Sequence, residues 1–414
     1  MQKKRIAILG AAESGVGAAV LALKHGFDVF VSDRGTIKSD YKAELDRRGI
    51  RWEEGQHTES EILAASEVIK SPGIPDTAPM VVRVREAGIP IISEIEFAGR
   101  YTDARMVCIT GSNGKTTTTS LVYHILREAG FDVGLAGNIG HSLALQVAEQ
   151  PHAMYVIELS SFQLDNMYRF RADIAVLLNI TPDHLDRYDY QMQNYTDSKM
   201  RILQNQTAGD AFVYWAEDPV VTAELPKYGT QARLCPFSTE TRQAAAYVSG
   251  GRYVLGTLDM PVERLALRGR HNLYNQLAAG MAAHLAGATD EQIEHGLATF
   301  KAVEHRLEFA CTDPCGITWI NDSKATNVDA CWYALDSMTA PTVLILGGLD
   351  KGNDYNQILP LVRQKCRALV FLGADNTVLK EFFGGKVDIP MADTHSMAQC
   401  VAECRRLAAS GDTV

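Results

Sequence analysis

The chain has 414 residues, 46% of them apolar and 22% charged, with 40 Lys plus Arg against 50 Asp plus Glu and a net charge of −10. That length suits two or three domains of about 150 residues. The acidic balance disfavours a general nucleic-acid or anionic-membrane role, and the lack of any apolar run of about 18 residues argues against a membrane-spanning helix.

Strand and helix patterns alternate along the chain. Arg5–Leu9 reads as a short apolar strand ending in glycine, Ala18–His25 as a helix and Asp28–Ser32 as the next strand, a βαβ start. Val68–Ser71 and Ile89–Ser93 are further short strands, and the polar stretch Gly99–Arg105 puts a boundary near residues 94–104. A second unit opens with the strand Met106–Thr110, a glycine loop and a helix from about Thr116 to Ala129. Ala153–Glu158 and Ile174–Asn179 are buried-type strands. Residues 210–268, with Ala211–Tyr214 and Arg252–Leu255 as strand candidates among many turns, suggest a small extra antiparallel sheet, and Asn272–Ala286 reads as a closing helix. From about residue 300, Thr318–Asn321, Thr342–Leu346 and Ala368–Leu372 are strands with helices between them.

Basic Met1–Arg5 followed by apolar Ile6–Leu9 has the outline of a signal peptide, but the stretch breaks at Glu13 inside a glycine pattern that explains it better. Eight cysteines are too few for a disulfide scaffold. Cys311/Cys315 and Cys400/Cys404 have a CxxxC spacing, looser than zinc ribbons use, so reduced and part-buried thiols are expected, the second pair one turn apart on a helix.

The strongest motif is Thr110-Gly-Ser-Asn-Gly-Lys-Thr-Thr117, between a strand and a helix. Gly111 and Gly114 let the loop N–H groups, with those of Ser112 and Asn113, turn around phosphate oxygens. The helix start at Thr116 and Thr117 adds a favourable dipole, Lys115 a point charge, and the Thr116 hydroxyl a ligand for Mg²⁺. Two residues separate the glycines, where the general Walker pattern has four. Gly10-Ala-Ala-Glu-Ser-Gly-Val-Gly17 lies in the first strand–helix turn, and Asp33 ends the second strand, where an acid can meet a ribose. That loop leaves open NAD, another diphosphate or no ligand, with hydride chemistry the least favoured.

Glu158 ends a strand in a position to hold Mg²⁺ beside the phosphate loop, or is a solvated strand-end acid. The loop after Asn179 crowds Asp183, His184, Asp186 and Arg187; a neutral His184 can ligate a cation, or the loop caps the next helix. Lys199 looks like a surface helix lysine whose ammonium would repel a nearby Mg²⁺. Asn272 and Asn275 share a helix face; paired amides can read a base edge, or they are a cap and an exposed polar residue. Asp322, Lys324 and Gly347–Lys351 follow strands, at the usual ligand edge of a parallel sheet.

With TGSNGKTT (110–117), ELSSFQL (158–164), NITPDHLDRY (179–188), RHNLYN (270–275) and INDSKATN (320–327) in this order, the chain resembles the Mur ligase family of peptidoglycan precursor synthesis, most closely its D-glutamate-adding branch. The resemblance runs from Gly10 to the Gly411-Asp412 turn. It implies an α/β protein of three domains: a Rossmann-like domain over 1–95 for the UDP substrate, a central P-loop ATPase domain with the extra sheet over 96–298, and a Rossmann-like amino-acid domain over 299–414. It further implies an ATP-dependent ligase that adds D-glutamate to UDP-N-acetylmuramoyl-L-alanine through an acyl phosphate, releasing ADP and phosphate.

By resemblance, Ser14, Asp33, Arg34 and Gly73 lie near the UDP group and Asn138 near the sugar-peptide part. Lys115, Thr116 and Glu158 serve ATP and a first Mg²⁺. His184 and Lys199 hold a second, Lys199 as a carbamate, which replaces the repelling ammonium with an anionic oxygen ligand. Asn275 faces adenine, Arg306 and Asp322 lie near ribose and phosphates, and Lys351 meets D-glutamate. Lys115, His184 and Lys199 are the expected catalytic residues. The expectation is a cytoplasmic monomer with small-molecule substrates, no nucleic acid and no membrane partner. The chain stops at Ser410-Gly-Asp-Thr-Val414, where the family continues into a strand and a loop carrying Ser and Phe contacts to D-glutamate, so a truncated C-terminal end is expected. A GTPase switch is disfavoured because no Asn-Lys dipeptide occurs, and a nicotinamide dehydrogenase would leave the central phosphate loop idle.

Overall fold

Short runs of Ile, Val, Leu and Ala bury on both faces only if helices cover both sides of a parallel sheet. The computed structural model, which describes residues 3–301, 305–348 and 353–414, is built that way. Its first sheet comprises β1 (Arg5–Leu9), β2 (Asp28–Asp33), β3 (Arg51–Glu54), β4 (Glu67–Lys70) and β5 (Ile91–Ile92), in the order β3-β2-β1-β4-β5. All neighbours are parallel. The order reverses at β1, so its carboxyl end opens on a crevice, where Gly10 turns the chain at φ +93°.

The first helix spans Glu13–Lys24, starting earlier than the Ala18 expected from periodicity. Gly15 and Gly17 are therefore helical. A Cβ on Gly15 would lie 1.9 Å from the Gly10 carbonyl oxygen, and one on Gly17 would lie 2.0 Å from Ser142 Oγ. These two glycines serve close packing.

The second sheet has nine strands: β6 (Arg105–Thr110), β7 (Val133–Gly137), β8 (Met154–Glu158), β9 (Ile174–Leu177), β10 (Ala211–Trp215), β11 (Arg233–Ser238), β12 (Ala246–Ser249), β13 (Arg252–Leu255) and β14 (Leu258–Pro261). Their order is β14-β13-β12-β11-β10-β9-β6-β8-β7. The antiparallel addition expected over 210–268 is β12–β14, hydrogen-bonded onto the end of this same sheet, whereas β10 and β11 are parallel members of it. Sequence patterning does not reveal which neighbour a strand pairs with. Leu121, Val122, Ile125 and Leu126 of the Lys115–Glu128 helix are fully buried, each contributing on the order of 2 kcal/mol.

By contacts the chain forms two units, one of residues 1–180, 191–266 and 273–300, the other of 181–190, 267–272 and 301–414. In the second unit β15 (Glu308–Thr312) pairs antiparallel with β16 (Thr318–Asn321). β17 (Thr342–Gly347), β18 (Cys366–Leu372) and β19 (Met391–Thr394) form a parallel sheet. Thr413 bridges in parallel to both Thr318 and Thr342. Cys400 and Cys404 lie buried on the Met397–Leu407 helix, while Cys311 and Cys315 are exposed. Burial pushes the Cys404 thiol up to about 12, and its neighbour Cys400 pushes the same way. Among the described residues no helix is long and apolar enough to cross a membrane.

Candidate active site

The glycine loop leaves β6, the strand between β8 and β9, and enters the Lys115–Glu128 helix at Gly114. Gly114 has φ +83°, and a Cβ there would sit 2.2 Å from Asn275 Oδ1. Only glycine fits such a position without strain. Asn275 is buried against the loop, 3.4 Å from Thr118 Oγ1, whereas Asn272 is half-buried and donates to the Arg268 carbonyl.

Asn179, just past β9, staples the loop from the side. Its carbonyl accepts from Ser112 N–H at 2.9 Å, its Oδ1 accepts from Asn113 N–H at 2.8 Å, and its amide donates to the Asn113 carbonyl at 3.1 Å. The Ser112 and Tyr195 hydroxyls are 3.0 Å apart. Lys115 Nζ donates to the carbonyls of Gly111 and Ser112, both at 2.8 Å. Thr116 and Thr117 are buried in the first helical turn.

Lys199 is not a surface lysine. It is 1% exposed, its Nζ donates to the Gly111 carbonyl at 2.8 Å, and it stands 4.7 Å from the centre of the Tyr195 ring. The Met192–Met200 helix turns this face inward, a packing that a short helix of mixed polarity does not announce. The sequence motifs alone do not assign a role to Tyr195 or Asn179. The i, i+4 spacing of Tyr195 and Lys199 was the available signal.

Glu158 is not a solvated strand-end acid either. It is 1% exposed at the carboxyl end of β8, in register with Ile109 of β6 and Gly137 of β7. Oε1 accepts from Asn138 Nδ2 at 2.7 Å, and Oε2 is buried with no hydrogen-bond partner. A bare buried carboxylate oxygen at the strand end next to a phosphate loop is donor chemistry that Mg²⁺ takes. Among the described residues no cluster of three or more His, Cys, Asp or Glu is gathered, so an ion on Thr116 and Glu158 would complete its shell with phosphate oxygens and water.

On the first sheet, Asp33 ends β2, and Ser14, Arg34 and Gly73 follow the carboxyl ends of β1, β2 and β4, along one edge. Asp33 accepts from Ala11 N–H at 2.7 Å and from Gly35 N–H at 2.8 Å, fixing both turns. Arg34 and Gly73 are exposed and Ser14 is half-buried.

In the second unit His184 has φ +53°, with Nε2 3.6 Å from Asp183 Oδ2. Buried Asp183 accepts from His184 N–H at 2.9 Å and from Asn327 Nδ2 at 3.1 Å. Asn327 in turn caps the Val328–Ser337 helix by accepting from Ala330 N–H at 2.8 Å. The loops of two motifs far apart in sequence thus meet. Asp322 accepts from Leu307 N–H at 3.1 Å, and burial raises its carboxyl above the usual range. Burial, then the charge of Arg306, lowers His271 to about 4, leaving a neutral imidazole at neutral pH. Lys351 lies outside the described residues.

Residues 4–93 match the Mur ligase MurD-like N-terminal domain, 109–283 the Mur ligase middle domain, and 305–414 the Mur ligase glutamate ligase domain. The chain is 62% identical to the UDP-N-acetylmuramoylalanine–D-glutamate ligase of Bacteroides fragilis over 99% of its own length and 93% of that protein's. It is 54% identical to the enzyme of the same name from Porphyromonas gingivalis over 100% and 93%. Among solved structures it is similar in fold to a pseudomurein peptide ligase type C from Methanothermus fervidus (TM-score 0.65, 19% identity, 99% and 96% covered). A UDP-N-acetylmuramate-alanine ligase from Thermotoga maritima is similar too (TM-score 0.61, 18% identity, 100% and 94% covered).

Proposed function

The chain belongs to the Mur ligase family, and from that premise we propose that it joins D-glutamate to UDP-N-acetylmuramoyl-L-alanine in peptidoglycan precursor synthesis. It is an ATP-dependent ligase, and the family implies ATP use, generally with Mg²⁺. In the proposal residues 1–95 take the UDP substrate, 96–298 take ATP, and 299–414, with Lys351, take the amino acid, in a cytoplasmic monomer.

A carboxylate is a poor electrophile. Transfer of the γ-phosphoryl group breaks its bond to ADP, forms one to the substrate carboxylate oxygen, and leaves an acyl phosphate. The amino group of D-glutamate attacks the carbonyl carbon, loses a proton, and expels phosphate. Both partners of the first step are anionic, so the protein must neutralise charge. The N–H groups of residues 111–114, the amino-terminal end of the Lys115–Glu128 helix and the Lys115 ammonium do so here. Lys115 exchanges two loop carbonyls for phosphate oxygens when ATP binds. Thr116 and Glu158 would hold the first Mg²⁺, which when bound neutralises and orients the phosphates. Carbamylated Lys199, with His184, would hold a second; the buried Nζ at the glycine loop supports that role. Asn275, Arg306 and Asp322 would contact the nucleoside and phosphates, and Ser14, Asp33, Arg34, Gly73 and Asn138 the UDP substrate.

The observation that carries the reading is Glu158, an acid with one bare buried oxygen at the strand end next to the glycine loop. The test is phosphate release from ATP with and without UDP-N-acetylmuramoyl-L-alanine and D-glutamate. Release should need both, and should fail when L-alanine or a diamino acid replaces D-glutamate. Release indifferent to both substrates refutes the assignment.

A further inference from the structure

Between the first and second sheets the chain passes through the Glu94–Ala98 helix, and Glu94 at its start is 4% exposed. Its Oε1 accepts from Ser142 Oγ and from Ala144 N–H, both at 2.6 Å, at the amino-terminal end of the Leu143–Glu149 helix. Glu13, in the first turn after the Gly10 crevice, meets the same place. Its Oε1 accepts from Ser142 N–H at 3.2 Å and lies 3.3 Å from His141 Nδ1. Gly17 lets the Glu13–Lys24 helix come this close, since a Cβ there would strike Ser142.

The residues just before this anchor are those at Glu158. Asn138 N–H donates to the Glu158 carbonyl at 2.9 Å, and Asn138 Nδ2 donates to the Glu158 carboxylate. Gly137 sits so tightly that a Cβ would lie 2.2 Å from the Glu158 carbonyl oxygen. The loop 137–142 is thus pinned at one end on Glu158 and at the other on Glu13 of the first helix and Glu94 of the helix that links the two sheets. We infer that Glu94 is a positioning residue: with Glu13 it anchors the end of this loop, and so sets where Asn138 stands beside Glu158.

Helix capping alone does not account for Glu94. Ser142 already caps the Leu143–Glu149 helix by accepting from Leu145 N–H. A buried carboxylate is expensive. Burial raises Glu94 to about 7 despite the bonds from Ala144 and Ser142, and the facing Glu13 carboxylate adds to the rise. An acid kept at that cost specifies a register rather than adding stability.

The inference rests on the function proposed above for its kinetic arm only. Full-length Glu94→Ala and Glu94→Gln are compared with the parent chain by amide exchange and by steady-state kinetics. In Glu94→Ala, which loses both hydrogen bonds to Ser142 and Ala144, peptides spanning 137–145 should exchange on the order of 10-fold faster, while those spanning 111–118 stay unchanged. Glu94→Gln, which keeps an acceptor oxygen, should recover most of the protection. In kinetics, Glu94→Ala should lower kcat/KM for UDP-N-acetylmuramoyl-L-alanine by on the order of 100-fold, with the KM for ATP within about two-fold. Unchanged exchange over 137–145 overturns the inference whatever the substrate. Equal rises in KM for both substrates, or a lowered melting temperature with unchanged kinetics, overturn it as well. A parent chain inactive on both substrates defeats the proposed function, while exchange still decides the anchor.

Discussion

Replacing Glu158 by Gln should make the ligand-free protein more stable and the enzyme far less active. The variant keeps the side-chain shape and the Oε1 acceptor for Asn138, and removes the charge beside the partnerless Oε2. A buried unsatisfied polar atom costs about 1–3 kcal/mol, more when charged, and a neutral amide is desolvated more cheaply than a carboxylate. For a unit of this size each kcal/mol moves the melting temperature by about 2–4 °C, so a rise of several degrees is expected without ligand. Added Mg-ATP reverses the order. At about 100 times its dissociation constant it stabilises the parent chain by about 2.7 kcal/mol, whereas the variant has lost a metal ligand and should lose the Mg-dependent part of that shift. Turnover should fall by on the order of 10²–10³. Differential scanning calorimetry with EDTA, with ATP and with Mg-ATP reads all three conditions. A variant that melts below the parent chain without ligand, yet keeps the full Mg-dependent shift, would show Glu158 to be a satisfied structural acid and refute the reasoning.

Gly114→Ala puts a Cβ at φ +83° and 2.2 Å from Asn275 Oδ1, so ATP binding measured by calorimetry should weaken at least about ten-fold; unchanged binding would mean the loop is free to move there. Lys199→Ala should lose activity and regain part of it with short-chain carboxylic acids, which supply the missing anionic oxygens; full activity without rescue removes Lys199 from the site. For pH, Glu94 sits at about 7 in the folded chain against an ordinary 4.5, so the folded state holds a proton there that the unfolded state has released. Stability should therefore fall as pH rises from 4.5 to 7, by about 3 kcal/mol at about 1.4 kcal/mol per unit, and level off above. Opening free energies from amide exchange over 141–149 should show that slope in the parent chain and lose it in Glu94→Gln; a flat parent profile would mean that the two hydrogen bonds outweigh burial.

Much of the architecture was legible because it is short-range. A five-residue apolar strand such as β1, or a glycine loop followed by Lys and Thr, is decided by neighbours in sequence, through side-chain periodicity, glycine's access to positive φ and the orientation of successive N–H groups. The strands β1, β2, β6, β8 and β9, and the order of the chemical motifs, follow from the chain alone.

Other features depend on which distant segments meet. Sequence could not tell that Lys199 is buried on the Gly111 carbonyl, that Glu158 keeps a bare oxygen, that Gly17 makes room for Ser142, or that β10 and β11 join the central sheet in parallel. Nor could it tell that Glu94, in a stretch that reads as a boundary, reaches the loop before Leu143. Whether a polar side chain is solvated or buried is a property of the surface packed against it. That surface is assembled from residues dozens to more than a hundred positions away, and only the tertiary fold brings them there.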